Sequence, residues 1–172
     1  MKTLPTRKNL RLTGHDYSDT GAYFVTICVK DRHNLLGTIV VGAAVLSVPP
    51  RVELSDIGKV VDAYLSKLSD ILHTATLDHF IIMPNHVHLI IVLQKELGTL
   101  RTASPTKECP TKAIIPNIVH GMKSVSSRQI GYSIWQRSYH DHIIRNEAEY
   151  RHIWQYIDEN PARWTEDCYY TI

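Results

Sequence analysis

Apolar and polar residues alternate in a pattern that changes period several times along the chain, and each change predicts an element. Residues 22–29 (AYFVTICV) follow Gly21 and are rich in β-branched and aromatic side chains, which suits a buried strand. Residues 37–40 and 44–46 predict two short strands around a glycine-containing turn; Pro49-Pro50 interrupts, and 52–54 form a short extended piece. Ile57, Val60, Val61, Tyr64, Leu65, Leu68, Ile71 and Leu72 then recur at intervals of three and four, with Ser55 placed as an N-cap. That spacing predicts an amphipathic helix lying on a sheet.

Two apolar runs, 77–83 and 87–93, flank Pro84-Asn85-His86. Proline suits the first corner of a turn and asparagine tolerates positive φ, so the pair predicts a β-hairpin. Residues 94–113, rich in Thr, Lys and Pro, show no period and predict a flexible loop. A second helix is expected from about Pro116 through Ile118, Met122 and Val125, followed by extended pieces at 133–136 and 139–144. Asn146-Glu147-Ala148-Glu149 has the spacing of a capping box and opens a helix that Pro161 ends. The order of elements predicts one α+β domain over 1–172, an antiparallel sheet with helices packed on it and a ferredoxin-like arrangement among the possibilities.

Composition changes this picture little. At 172 residues, with 44% hydrophobic and 21% charged, the chain has the balance of one globular domain with a real core. No apolar run approaches the roughly 20 residues that span a bilayer, and the N-terminus lacks a signal-peptide pattern, so no membrane association and a cytoplasmic location are expected. Cys28, Cys109 and Cys168 are far apart and form no CxxC pair, which predicts free thiols. A net charge of +2 is uninformative, but basic residues gather at 1–15 and 95–128, a distribution that suits phosphate contacts and equally a solvated basic tail.

The candidate chemistry sits at His86 and His88. Residues two apart on a strand share a face, roughly 6.5 to 7 Å apart along the chain, so the two imidazoles point one way and Val87 points into the core. Two such side chains can share a divalent ion that polarises a phosphoryl oxygen. Spacing alone favours the plainer reading, ordinary surface histidines among the ten in the chain. The position directly after a tight turn, at an accessible rim of the sheet, raises the metal reading. His140 and His142 form a rival pair.

On the last helix Ile153, Trp154, Ile157 and Tyr150 form an apolar stripe, while Tyr156 and Asn160, four apart, are neighbours at its edge. A phenol able to attack phosphorus would thus stand beside an amide oxygen able to bind a metal. Taken singly, a helical tyrosine is more often packing than catalysis, and Tyr139 and Tyr150 compete for the role.

Four segments taken in order carry a family resemblance: Met83-Pro84-Asn85-His86-Val87-His88-Leu89, Ile134-Trp135-Gln136-Arg137-Ser138-Tyr139, Asp141-His142-Ile143-Ile144-Arg145-Asn146-Glu147 and Tyr156-Ile157-Asp158-Glu159-Asn160-Pro161. Together with Arg11-Leu12 through Asp16-Tyr17 and Gly21 to Thr26, they resemble the REP-associated tyrosine transposases, bacterial relatives of the single-tyrosine HUH transposases of small insertion sequences. The resemblance implies that His86 and His88 are metal ligands, that Asn160 is the third ligand and that Tyr156 is the nucleophile. It further implies a ferredoxin-like core, Mg²⁺ or Mn²⁺ as cofactor, and attack on single-stranded or hairpin DNA of REP-like palindromes to give a 5′-phosphotyrosine and a free 3′-OH. Trp135, Gln136 and Arg137 match a motif that is either structural or DNA-facing. With Ile172 so soon after the catalytic helix, DNA contacts made by longer C-terminal extensions in relatives are expected to be absent.

The expected activity is that of a metal-dependent DNA endonuclease and strand transferase, acting as a monomer or homodimer, with the site built within one chain favoured. Two rivals are a non-catalytic hairpin-binding module derived from a transposase and a metal hydrolase that uses water instead of Tyr156.

Overall fold

The computed structural model describes residues 20–41, 49–68, 75–94 and 114–171. The expected strand at 44–46, the last apolar positions of the first helix, the loop from 95 onward and the basic N-terminus lie outside these residues. Four strands form one antiparallel sheet in the order β4-β5-β1-β6: β1 is Gly21–Cys28, β4 is Ala75–Ile82, β5 is His86–Leu93 and β6 is His140–Ile144. A separate two-stranded sheet pairs β2 (Gly37–Val40) with β3 (Arg51–Leu54). Helices α1 (Asp56–Ser66) and α2 (Ile114–Ile130) fall between the main strands, so β1, α1, β4, β5, α2 and β6 follow the strand-helix-strand-strand-helix-strand order of the ferredoxin-like fold. Helix α3 (Glu147–Glu159) follows β6.

Alternation along the two central strands sorts the core into two layers. Tyr23, Val25 and Ile27 of β1 and Val87, Leu89 and Ile91 of β5 share one buried cluster with Val61 and Leu65 of α1 and Ile118 and Met122 of α2. The intervening residues face the other way, where Phe24 and Ile90 meet Ile153 and Ile157 of α3. β5 is apolar on both faces because helices cover both, which is why its sequence reads as a continuous apolar run. The same alternation places His86 and His88 on the α3 face, with Val87 opposite, in keeping with their spacing.

Local signals act where they were expected. Ser55 accepts from the Gly58 amide at 3.0 Å and starts α1. Gly58 is needed for close approach: a Cβ there would fall 2.0 Å from the Leu36 carbonyl oxygen. Pro116 lies in the first turn of α2, which begins at Ile114. Asn146 caps α3 by accepting from the Glu149 amide at 2.9 Å, but the return bond differs from a capping box. Glu149 Oε2 accepts from the Arg145 amide and its other oxygen meets His142 Nε2 at 2.7 Å, because β6 brings that ring alongside.

Candidate active site

His86 opens β5 immediately after the turn, and pairing with β1 sets it opposite Cys28, with His88 opposite Thr26. Each imidazole is held by its Nδ1. His86 Nδ1 lies 2.9 Å from Asn85 Oδ1, and His88 Nδ1 lies 2.9 Å from Thr26 Oγ1. Held in this way, the two Nε2 atoms converge to 2.9 Å. With Nδ1 of His88 accepting from Thr26, its Nε2–H can donate to His86 Nε2; with both protons on Nδ1, the two Nε2 lone pairs converge on a point that a cation can occupy. Burial keeps both rings neutral: it depresses His86 to about 4, opposed in part by the Asp167 charge and assisted by Arg32, and it takes His88 well below its usual value. Neutral imidazoles anchored at Nδ1 are the form in which histidine binds metals.

Helix α3 brings the second half of the predicted site to the first. Tyr156 Oη lies 3.4 Å from His88 Nε2 and donates to Asp167 Oδ2 at 3.1 Å. Phe24 supports both rings, meeting His88 at 5.0 Å and the Tyr156 ring edge-on at 6.1 Å. One turn on, Asn160 is buried and donates through Nδ2 to Asp167 Oδ2 at 2.7 Å. Its Oδ1 is buried without a hydrogen-bond partner, a costly state for an amide oxygen and one that a cation would relieve. Burial, then the charge and hydrogen bond of Asp167, push the Tyr156 phenol up, so it is held protonated.

Asp167 was not anticipated. It follows the 3-10 turn Trp164–Glu166, and His86, His88 and Asp167 each offer a ligand atom within 4.8 Å of the others. No period or motif beyond Pro161 marks this residue. Its place depends on the chain folding back from α3 across the end of the sheet. The donor set, two imidazole nitrogens, a carboxylate and the unsatisfied amide oxygen of Asn160, fits a divalent cation that accepts mixed nitrogen and oxygen ligands.

The histidines were expected at an accessible rim and are instead buried, with His86 at 0% and His88 at 1% exposure. The segment after α3 covers them: the Tyr169 ring lies 4.6 Å from that of His86, and Trp164 lies 5.9 Å from it. Asn85 fastens this segment by donating to the Tyr169 carbonyl at 2.9 Å, and Arg32 donates to the Cys168 carbonyl at 2.8 Å. Asp31 and Arg32 both adopt positive φ, strain located where the loop meets that segment.

The competing residues lie elsewhere. His142 of the outer strand β6 is paired with Glu149 of α3, and among the described residues the His140 and His142 pair joins no group of three metal-ligating side chains. Tyr150 donates to Asp78, and Tyr139 packs against the α1/α2 core. Trp135 is structural: its ring is buried, its Nε1 donates to Ser126 Oγ at 2.9 Å, and its backbone bridges Val29. Lys123, drawn down to about 8 by burial, donates to the carbonyls of Gln136 and Ser138 and orders the same loop.

No family model matches the chain. A Haemophilus influenzae protein of uncharacterized function is 30% identical over 175 residues, spanning 95% of this chain and 93% of its own length. The chain belongs to that protein's family. Among solved structures, a REP-associated tyrosine transposase bound to a REP hairpin superposes with a TM-score of 0.54 at 19% identity, covering 84% of this chain and 68% of its own. That likeness establishes a transposase-type fold for this family member and agrees with the α+β, ferredoxin-like expectation. No helix among the described residues is long and apolar enough to cross a membrane.

Proposed function

We propose that the chain is a metal-dependent, single-strand DNA endonuclease and strand transferase of the HUH tyrosine class, acting at hairpin or palindromic DNA. The observation that carries this reading is the meeting of the Tyr156 hydroxyl with the two buried histidines, Asn160 and Asp167 in one cluster drawn from β5, α3 and the segment beyond it. His86, His88, Asp167 and Asn160 Oδ1 would hold a divalent ion, Mg²⁺ or Mn²⁺. When bound, such an ion polarises a phosphoryl oxygen and favours the phenolate. Tyr156 Oη attacks phosphorus, the P–O3′ bond breaks, and a 3′-OH departs while the 5′-phosphate remains on the tyrosine. Asp167 Oδ2, already accepting from the phenol, relays its proton to the departing 3′-oxygen. The phosphotyrosine keeps the energy of the broken ester, so a second 3′-OH can displace the tyrosine without ATP. One chain supplies every residue of this set.

Incubating the protein and Mn²⁺ with a hairpin-bearing single-stranded oligonucleotide should give a covalent adduct on a denaturing gel, lost in Tyr156→Phe. An adduct that persists in Tyr156→Phe refutes the assignment, and cleavage that survives it without any adduct points to a water-using hydrolase. The cover over His86 and His88 favours a second reading, a hairpin-binding protein without turnover. Binding without cleavage across varied hairpins under Mn²⁺ would select it.

A further inference from the structure

Helix α3 carries its candidate chemistry on one flank and a second set of contacts on the other. Ile153 and Ile157 face the sheet and are buried with Ile90. Tyr156 and Asn160 lie to one side of that stripe. Tyr150, Trp154 and Asp158, spaced by four, lie to the other, because the helix turns by roughly 100° per residue. All three residues of this second flank meet β4.

An irregularity in β4 makes those contacts. Leu77 pairs with Ile91 of β5 and His79 with Ile90, so two residues of β4 pass one of β5 and Asp78 is the extra residue of a bulge. Under regular pairing His79 would stand opposite Leu89, whose side chain belongs to the α1/α2 core. The bulge instead turns His79 to the α3 face. There its ring lies flat on that of Trp154, with centroids 4.0 Å and planes 4° apart, and its Nε2–H donates to Asp158 Oδ1 at 2.9 Å. Asp78 accepts from the Tyr150 hydroxyl one turn before Trp154.

Helix energetics alone disfavour Asp158. It stands in the last turn of α3, where the macrodipole opposes a carboxylate, and its side chain is 60% exposed. Its contact with His79 gives it a purpose. Apolar packing of Ile153 and Ile157 lets a helix roll on a sheet, whereas a stacked and hydrogen-bonded contact on one flank resists rolling. The hydroxyl at the tip of Tyr156 magnifies any roll, and a misplacement of about 1 Å costs on the order of 100-fold in rate.

We propose that His79 and Asp158 are positioning residues: joined at the β4 bulge, they fix the roll of α3 and so the approach of Tyr156 to the scissile phosphate. This rests on the nuclease reading of Tyr156. Asp158→Ala is the decisive variant, since it removes an exposed side chain and should leave the melting temperature unchanged or raise it. With Mn²⁺ and a hairpin-bearing single strand, its rate of adduct formation at saturating DNA should fall about tenfold, while the half-saturating concentration stays within about twofold. Asp158→Asn keeps an acceptor oxygen and should recover most of the rate. His79→Ala should lose at least as much as Asp158→Ala, and the double variant no more than His79→Ala, because the two residues act through one contact. An unchanged rate in Asp158→Ala, a loss confined to half-saturation, or losses that multiply in the double variant overturn the assignment. Hydrogen exchange of the α3 amides, read without DNA, separates the two proposals. If the intact protein forms no adduct the nuclease reading falls; faster α3 exchange in Asp158→Ala then keeps the clamp, and unchanged exchange removes it.

Discussion

The Tyr156 hydroxyl donates to Asp167 Oδ2 at 3.1 Å, so the candidate nucleophile is bound to an anion that keeps its proton in place. Burial raises the phenol first, and the Asp167 charge and hydrogen bond raise it further. In metal-free protein Asp167→Asn keeps an acceptor of the same shape but removes the charge. The Tyr156 phenol should then titrate lower, by about one pH unit for a half-exposed neighbour. Alkaline absorbance titration near the tyrosinate band, taken as a difference against Tyr156→Phe, reads this group alone. A phenol that titrates unchanged in Asp167→Asn would show that burial acts without the aspartate.

The two buried imidazoles make acid sensitivity a property of the site. In the folded protein His86 is depressed to about 4 and His88 lies well below 6.5, in both cases chiefly by desolvation. Below about pH 6.5 the unfolded chain takes up protons at these positions that the native state refuses. Stability is therefore complete above the unfolded value and falls as pH drops from 6.5 toward 4. Urea melts of metal-free protein at pH 7.5, 6 and 5 should show this decline before most carboxylates titrate, and His86→Gln should flatten part of it. Equal stability at all three pH values would contradict the depressed values.

Asn85 links the turn, the histidines and their cover. Its Oδ1 meets His86 Nδ1, and its Nδ2 donates to the carbonyls of Tyr169 and Arg32. Asn85→Ala removes the partner of the buried His86 Nδ1 and of the Tyr169 carbonyl and should cost about 1–3 kcal/mol. It should also loosen Tyr169 from the imidazoles. Diethyl pyrocarbonate labelling read by mass spectrometry should find His86 and His88 slow to react in the intact protein and several-fold faster in Asn85→Ala. Equal labelling rates would mean that the segment beyond α3 is held without Asn85.

Much of this site was legible in residues close together in the chain. The alternation His86-Val87-His88 put both imidazoles on one side of a strand, and the interval of four put Tyr156 and Asn160 on neighbouring turns, because those relations follow from the repeat of a single element. The apolar runs, the Ser55 cap and the turn at Pro84-Asn85 were readable for the same reason. The family resemblance joined the two halves, although no local pattern did.

By itself, then, the sequence determined the elements, the faces on which the candidate ligands and nucleophile stand, and the pairing of functions through resemblance. Only the tertiary structure decided that Thr26 and Asn85 anchor the imidazoles, that Asp167 joins the cluster, and that Tyr169 covers it. Those relations depend on strand register and on the return of the chain after α3, across separations such as the 68 residues between His88 and Tyr156. Short-range periodicity carries the direction of a side chain, whereas its neighbours, its burial and its protonation are set by packing between distant segments.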